Sequence, residues 1–273
     1  MQEGSPPIDR TGRPKGRDLP LFRAEYDCAE WSGPARTYVI CSTPRSGSTL
    51  LAELFRATGR LGSPAEYFNK ASLMPRMARR LGALSPEGML DLPAYLRALI
   101  RWRTSPNGIF GVKVHFQDLR PLLHLEAVGR LLRTSRLIWI RRRDVLAQAI
   151  SLEIAERTGR WNRVRDRVDE PIPLAWSHTS VERRVGALLE EDREWQMLFE
   201  ANGLTAHRID HEDLIADCEA VAGAAARHAG LADPPSFSLP DAPVGSQRTE
   251  LNARWRASYL GAYALPRGSA PAP

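Results

Sequence analysis

The stretch Thr37–Asn69, TYVICSTPRSGSTLLAELFRATGRLGSPAEYFN, decides the fold. Tyr38, Val39 and Ile40 read as a buried strand and Ser42 to Ser48 as a polar turn. An amphipathic helix comes next, with Leu50, Leu51, Leu54 and Phe55 on one side and Gly59 placed to end it. A strand that runs through a Gly/Ser-rich turn into a helix start gathers backbone N–H groups and the positive end of the helix dipole at one point. Arg45 and the hydroxyls of Ser46, Ser48 and Thr49 add to that point, so the turn is expected to hold an anion. The plainer alternative is that these small polar residues only cap a helix.

Spacing excludes three related loops. The ATP-type phosphate loop needs Gly-x-x-x-x-Gly-Lys-Ser/Thr, but no Gly stands at the first offset and no Lys comes after Gly47. A cysteine-phosphatase loop needs Arg six positions after its Cys, where this chain has Gly47 after Cys41. The hydrolase elbow Gly-x-Ser-x-Gly is absent from the turn.

Outward from this stretch, strand and helix signals alternate. Ile109–Phe116 (IFGVKVHF) and Leu137–Ile140 (LIWI) read as core strands buried on both faces, and a shorter strand is expected near Thr205–Ile209. Helical pieces are expected among Leu84, Leu90, Leu92, Leu96, Leu99 and Ile100. Further helices are expected at Asp118–Arg133, Val145–Arg157 (capped by Asp144, closed by Gly159), Ser180–Asn202, and in an Ala-rich run ending near Gly230. The expectation is an α/β fold, a P-loop-like three-layer arrangement with a central, mainly parallel sheet covered by helices. With 273 residues and no internal repeat, one domain over residues 21–263 is expected, between a polar arm (1–20) and a Pro/Gly-rich tail (264–273). Arg160 to Glu170 read as an exposed loop or lid.

A net charge of +6 suits an anionic ligand but decides little alone. Three scattered cysteines (Cys28, Cys41, Cys218) make neither a disulfide framework nor a metal site, and no cluster of ligand spacing calls for a metal. No apolar run reaches the length of a membrane span and residues 1–25 lack signal character, so the cytoplasm is the expected compartment. Arginines without a recognition motif between them do not make a nucleic-acid surface.

Ligands of such sheets sit beyond the carboxyl ends of the strands. There stand the turn Thr43–Thr49, the pair Lys113/His115 and the cluster Arg141–Asp144. An Arg fork at a strand end with Ser151 on the next helix suits a second phosphate, and two anion sites on neighbouring strands suit a nucleotide phosphorylated at both ends. Three arginines as plain solvated surface is the alternative.

The ordered set CSTPRSGSTLL, TG, GSPAEYF, FGVKVHF, RRDVLAQAIS and HEDLIADCEA resembles the bacterial trehalose 2-sulfotransferase family. That is a branch of the sulfotransferases that use 3′-phosphoadenosine 5′-phosphosulfate, and the resemblance covers about residues 35 to 260. It implies that Thr43, Pro44, Arg45, Ser46, Gly47, Ser48 and Thr49 hold the 5′-phosphosulfate, with Arg45 where many sulfotransferases have Lys. Arg143 and Ser151 match the pair that binds the 3′-phosphate, with Arg142 as the fallback one register earlier. Gly245, Ser246, Gln247 and Arg248 are similar to a loop that closes over the nucleotide. Glu66 falls where this family has its proposed base. His115 stands where other branches place a His base and is the second candidate. His211, where relatives commonly have Tyr, is read as structural.

The resemblance also implies an activity, sulfuryl transfer to a hydroxyl of a carbohydrate or glycolipid-like small-molecule acceptor. With it come 3′-phosphoadenosine 5′-phosphate as product and a homodimer. Arg45 belongs to the charge-stabilising set. Trp161 and Trp176 are candidates to stack on a sugar face, or are simply packed. Rival readings are a nucleotide-dependent kinase of related fold, and a non-catalytic nucleotide or polyanion binder.

Overall fold

The computed structural model describes residues 20–22, 26–159, 161, 174–239 and 250–265. Among them four parallel strands form one sheet in the order β2-β1-β3-β4: β1 (Arg36–Ser42), β2 (Ile109–His115), β3 (Arg136–Arg141) and β4 (Ala206–Asp210). Parallel neighbours cannot be joined by a tight turn, so each connection carries helices. These are α1 (Ser48–Ala57), α2 (Leu73–Arg80) and α3 (Leu92–Arg103) before β2, and α4 (Phe116–Leu119) and α5 (Glu126–Thr134) before β3. Then come α6 (Val145–Thr158) and α7 (His178–Ala201) before β4, and finally α8 (His211–Ala216), α9 (Cys218–His228) and α10 (Glu250–Gly261).

Strand alternation sorts the sheet's two faces. Val39, Cys41, Val112, Val114, Leu137 and Trp139 share one core with Met77, Tyr95, Leu131 and Trp195 from α2, α3, α5 and α7. The opposite face carries Tyr38, Ile40 and Ser42 in register with Gly111, Lys113 and His115. Here the Tyr38 ring meets Phe55 of α1 edge-on at 5.6 Å. A Cβ on Gly111 would lie 2.1 Å from that tyrosine ring, so only glycine fits beneath it. Helices on both faces of a parallel sheet give the three-layer α/β arrangement expected from the sequence.

The chain divides into two compact units, Met1–Arg143 with Leu189–Leu239 and Asp144–Leu188 with Pro240–Pro273. The first contains the sheet. The second has its own small core of Ala149, Ile150, Leu152, Val181, Leu188 and Trp255. Asp144 caps α6 by accepting from the Ala147 N–H at 3.0 Å, and Gly159 (φ 68°) ends it. Trp161 and Trp176 pack against this small core, Trp176 edge-on to Trp255 at 5.4 Å.

Two local expectations are corrected and one element is added. The helix expected over Asp118–Arg133 is broken into α4, a 3₁₀ turn at Arg120–Leu122 and α5. Pro121 lacks the N–H that would continue the first piece and its ring clashes with the preceding turn. Leu84 and Leu90 are not helical but form an antiparallel bridge around a turn at Gly88 (φ 79°). Helix α10 adds to the expected elements; Trp255 is its one buried residue among Glu250–Gly261, too little apolar signal to read from the sequence. No described helix is long and apolar enough to cross a membrane.

Candidate active site

Beyond Ser42 the chain leaves β1 through Thr43, Pro44 and Arg45 and enters α1 at Ser48. Arg45 (φ 64°) and Gly47 (φ 91°) both adopt the left-handed region. A non-glycine residue held there is strained, and such strain gathers at ligand sites. Gly47 is constrained twice, because a Cβ on it would also meet Nδ1 of His211 at 2.4 Å. Ser46 is fully buried and its Oγ has no hydrogen-bond partner among the described residues. A buried hydroxyl in that state calls for a partner. The orphaned hydroxyl, the tight glycine and the start of a ten-residue helix fit an anionic group.

The next two rungs of the sheet bring chemistry to this loop. Pairing of Ile40 with Lys113 and of Ser42 with His115 puts both β2 side chains on the α1 side. Nζ of Lys113 donates to Thr49 Oγ1 at 2.8 Å and lies 2.7 Å from Glu66 Oε1. Nε2 of His115 lies 3.1 Å from the same oxygen, and its Nδ1 is 3.0 Å from Ser42 Oγ. Ser42 Oγ is also 3.2 Å from the Val114 carbonyl, and the Trp195 indole donates to the Ser42 carbonyl at 3.0 Å. Thr49, Lys113, Glu66, His115, Ser42 and Trp195 thus form one connected chain.

Glu66 arrives there because the GSPAE segment docks on the edge of β2. Lys113 N–H donates to the Ala65 carbonyl at 3.0 Å and Ser63 N–H to the Arg103 carbonyl at 3.2 Å. The approach is so close that a Cβ on Gly62 (φ 68°) would lie 2.6 Å from the Arg103 carbonyl oxygen. Burial works to raise the Glu66 carboxyl, but the Lys113 and His115 charges and their hydrogen bonds outweigh it and hold it well below the usual carboxylate range. The Glu66 side chain keeps 30% of its surface exposed, against 6% for Lys113 and 9% for His115. Of the three ionisable side chains in this connected set, Glu66 is the most open.

Two further carboxyls stand beside His115. Burial pushes Asp118 up to about 6, with His115 lowering it and Glu66 raising it. Burial pushes Glu191 up to about 7, against the pull of His115. One oxygen of each, Asp118 Oδ2 and Glu191 Oε2, is buried without a hydrogen-bond partner among the described residues.

The three arginines at the end of β3, Arg141 to Arg143, part company. Arg141 binds Asp192 (Nε to Oδ2, 2.6 Å) and lies over the Trp139 ring at 4.7 Å. Arg143 grips Asp213 with two nitrogens at 2.6 and 2.9 Å and lies 3.4 Å from Asp210. Its backbone N–H donates to Glu212 at 3.1 Å, so carboxylates offset its charge. Arg142 stands near His211, which burial, then Arg142 and Arg45, push down to about 4, with Glu212 opposing. Arg45 and Arg142 therefore bear on the same imidazole, which itself packs under Gly47. Ser151 is buried on α6, in the second unit. Gln247, Arg248 and the loop expected over Arg160 to Glu170 lie outside the described residues, apart from Trp161.

The sequence brings Glu66 and His115 forward separately; the structure joins them in one hydrogen bond. Lys113, placed with His115 at the strand end because the two share a face, supplies what that reading lacks, a direct link from Thr49 to Glu66. Ser42, Asp118 and Glu191 carry no signal of their own. His211, read as structural, does pack against the anion loop.

Residues 37–260 match the Stf0 sulphotransferase family. A trehalose 2-sulfotransferase of Mycolicibacterium smegmatis (strain ATCC 700084 / mc(2)155) is 29% identical over 220 residues, an alignment covering 68% of this chain and 81% of that one. The trehalose 2-sulfotransferase of Mycobacterium tuberculosis (strain ATCC 35801 / TMC 107 / Erdman) is 26% identical over 206 residues, covering 63% and 76%. Among solved structures, the sulfotransferase domain from the Synechococcus PCC 7002 olefin synthase superposes with a TM-score of 0.45 at 19% identity, over 86% of this chain and 98% of that one. The chain belongs to the Stf0 sulphotransferase family and is a sulfotransferase.

Proposed function

We propose that the protein moves a sulfuryl group from 3′-phosphoadenosine 5′-phosphosulfate to a hydroxyl of a carbohydrate or glycolipid-like acceptor of the trehalose type. The observation that carries this reading is the bonded chain from Thr49 through Lys113 to Glu66, which couples a strained anion loop to an open carboxylate. When bound, the donor supplies a sulfuryl group whose bond to the nucleotide oxygen breaks as one to the acceptor oxygen forms. The residues Thr43 to Thr49 hold the 5′ end, the Ser46 hydroxyl finding there the partner it lacks. Arg45, Ser48, Thr49 and Lys113 face the charge that builds on the leaving phosphate oxygen. Glu66 takes the acceptor's proton, and being held as a carboxylate it is ready to do so at neutral pH. Arg143, with Arg142 as the fallback one register earlier, binds the 3′-phosphate, as the family resemblance implies. The relatives' names favour a disaccharide of the trehalose type over other hydroxyl compounds.

Calorimetry with 3′-phosphoadenosine 5′-phosphate tests the donor half of this reading. Binding that weakens when Arg142 and Arg143 are both replaced by Ala is expected; no binding by the parent, or binding indifferent to both changes, ends it. An acceptor panel with donor, read by mass, tests the other half. Trehalose or a trehalose-bearing glycolipid should gain one sulfuryl group.

A further inference from the structure

We propose that His115 is a positioning residue and not the base: its Nε2–H donates to Oε1 of Glu66 and Ser42 occupies its Nδ1, leaving Oε2 of Glu66 to receive the acceptor's proton. The inference rests on the sulfuryl-transfer reading and refines which atom of that site accepts a proton.

An imidazole can act as a base only through a nitrogen lone pair turned toward the acceptor. His115 has none to offer. Nε2 lies 3.1 Å from Glu66 Oε1, and that same oxygen is 2.7 Å from the Lys113 ammonium, which only donates. Oε1 is therefore a carboxylate oxygen, it can only accept, and Nε2 must carry the hydrogen. On the other side of the ring Ser42 Oγ lies 3.0 Å from Nδ1 and 3.2 Å from the Val114 carbonyl. The single hydroxyl proton goes to Nδ1 when the ring is neutral and to Val114 when Nδ1 is itself protonated. In either state both nitrogens are partnered within the fold. The charged groups facing the ring are Glu66, Lys113, Asp118 and Glu191; none of them accepts or donates at Nδ1.

Glu66 presents the opposite case. Its Oε1 receives two donors while its Oε2 takes no hydrogen bond among the described residues, and the side chain is 30% exposed where that of His115 is 9%. Two donors on one oxygen fix the rotation of the carboxylate and turn the other oxygen outward. His115 thus acts through Glu66, as outer-shell partners orient a reacting group.

Nitrogen-15 spectra of the imidazole rings in the donor-free protein read this directly, with the His115 signals identified by their loss in His115→Gln. The neutral ring should carry its proton on Nε2, with Nδ1 shifted as a hydrogen-bond acceptor. A neutral ring protonated on Nδ1 with a bare Nε2 overturns the proposal. Sulfuryl-transfer assays give the second arm. His115→Gln keeps an amide N–H within reach of Oε1 and should recover most of the roughly 10- to 100-fold loss in kcat that His115→Ala brings, with the acid limb of the pH profile kept. Equal inactivity of both His115 variants, beside an active Glu66→Gln, contradicts it. Should the parent transfer no sulfuryl group to any acceptor, the functional reading falls while the spectra still decide the tautomer.

Discussion

Gly47 is held by two constraints that come from different parts of the chain, its own φ of 91° and the His211 ring that fills the space a Cβ would need. Gly47→Ala should therefore lower stability by about 1–3 kcal/mol in urea unfolding and abolish nucleotide binding. Glu191 sets a pH effect of known sign. Its carboxyl is raised from 4.5 to about 7 by burial, so the folded state binds that proton more tightly than the unfolded chain does. The stability this confers is full below the unfolded value and is lost as pH rises through the folded one. Melting curves should show Glu191→Gln more stable than the parent at pH 8 and no advantage at pH 4. An equal margin at both values would place the effect elsewhere. At this scale the sequence was legible where a residue's type is restrictive, as with Arg45 and Gly47 in the turn. It was silent where the role comes from a neighbour far along the chain, as with Lys113 reaching both Thr49 and Glu66.

Elements were easier to read when their ends carried chemistry. Asp144 and Gly159 mark both ends of α6, and each does what its type suggests, a side-chain cap and a left-handed stop. Asp144→Ala should lower stability by about 1 kcal/mol through the lost cap. The Arg256 pair with Asp144 at 2.8 Å is exposed on the arginine side and adds little. Arg256→Ala should leave the melting temperature nearly unchanged, so a large drop there would show the pair rather than the cap to be the stabilising contact. The run from Asp118 to Arg133 failed as one helix because periodicity survives a break that Pro121 enforces. Helix α10 has no apolar stripe to betray it, with Trp255 alone buried. The docking of GSPAE on the edge of β2 was beyond reach, since the hydrogen bonds there are backbone to backbone and leave no mark on residue type.

For the molecule as a whole, alternation of strand and helix signals sufficed for the three-layer class, because parallel pairing compels a crossover each time. The order β2-β1-β3-β4 was not legible, yet it is what sets Ser42 beside His115 and Ile40 beside Lys113. With a net charge of +6, binding of the proposed multiply charged anionic donor should be sensitive to screening. The dissociation constant for 3′-phosphoadenosine 5′-phosphate should rise as sodium chloride is increased, and a salt-independent constant would leave the basic residues without a part in binding. The central claim is that one site joins the Thr43–Thr49 loop to a proton-accepting Glu66, and transfer of radiolabelled sulfate from donor to acceptor tests it most directly. Glu66→Gln should fold and bind the nucleotide as the parent does while its kcat falls by about a hundredfold or more. Transfer by Glu66→Gln at the parent's rate would contradict the account.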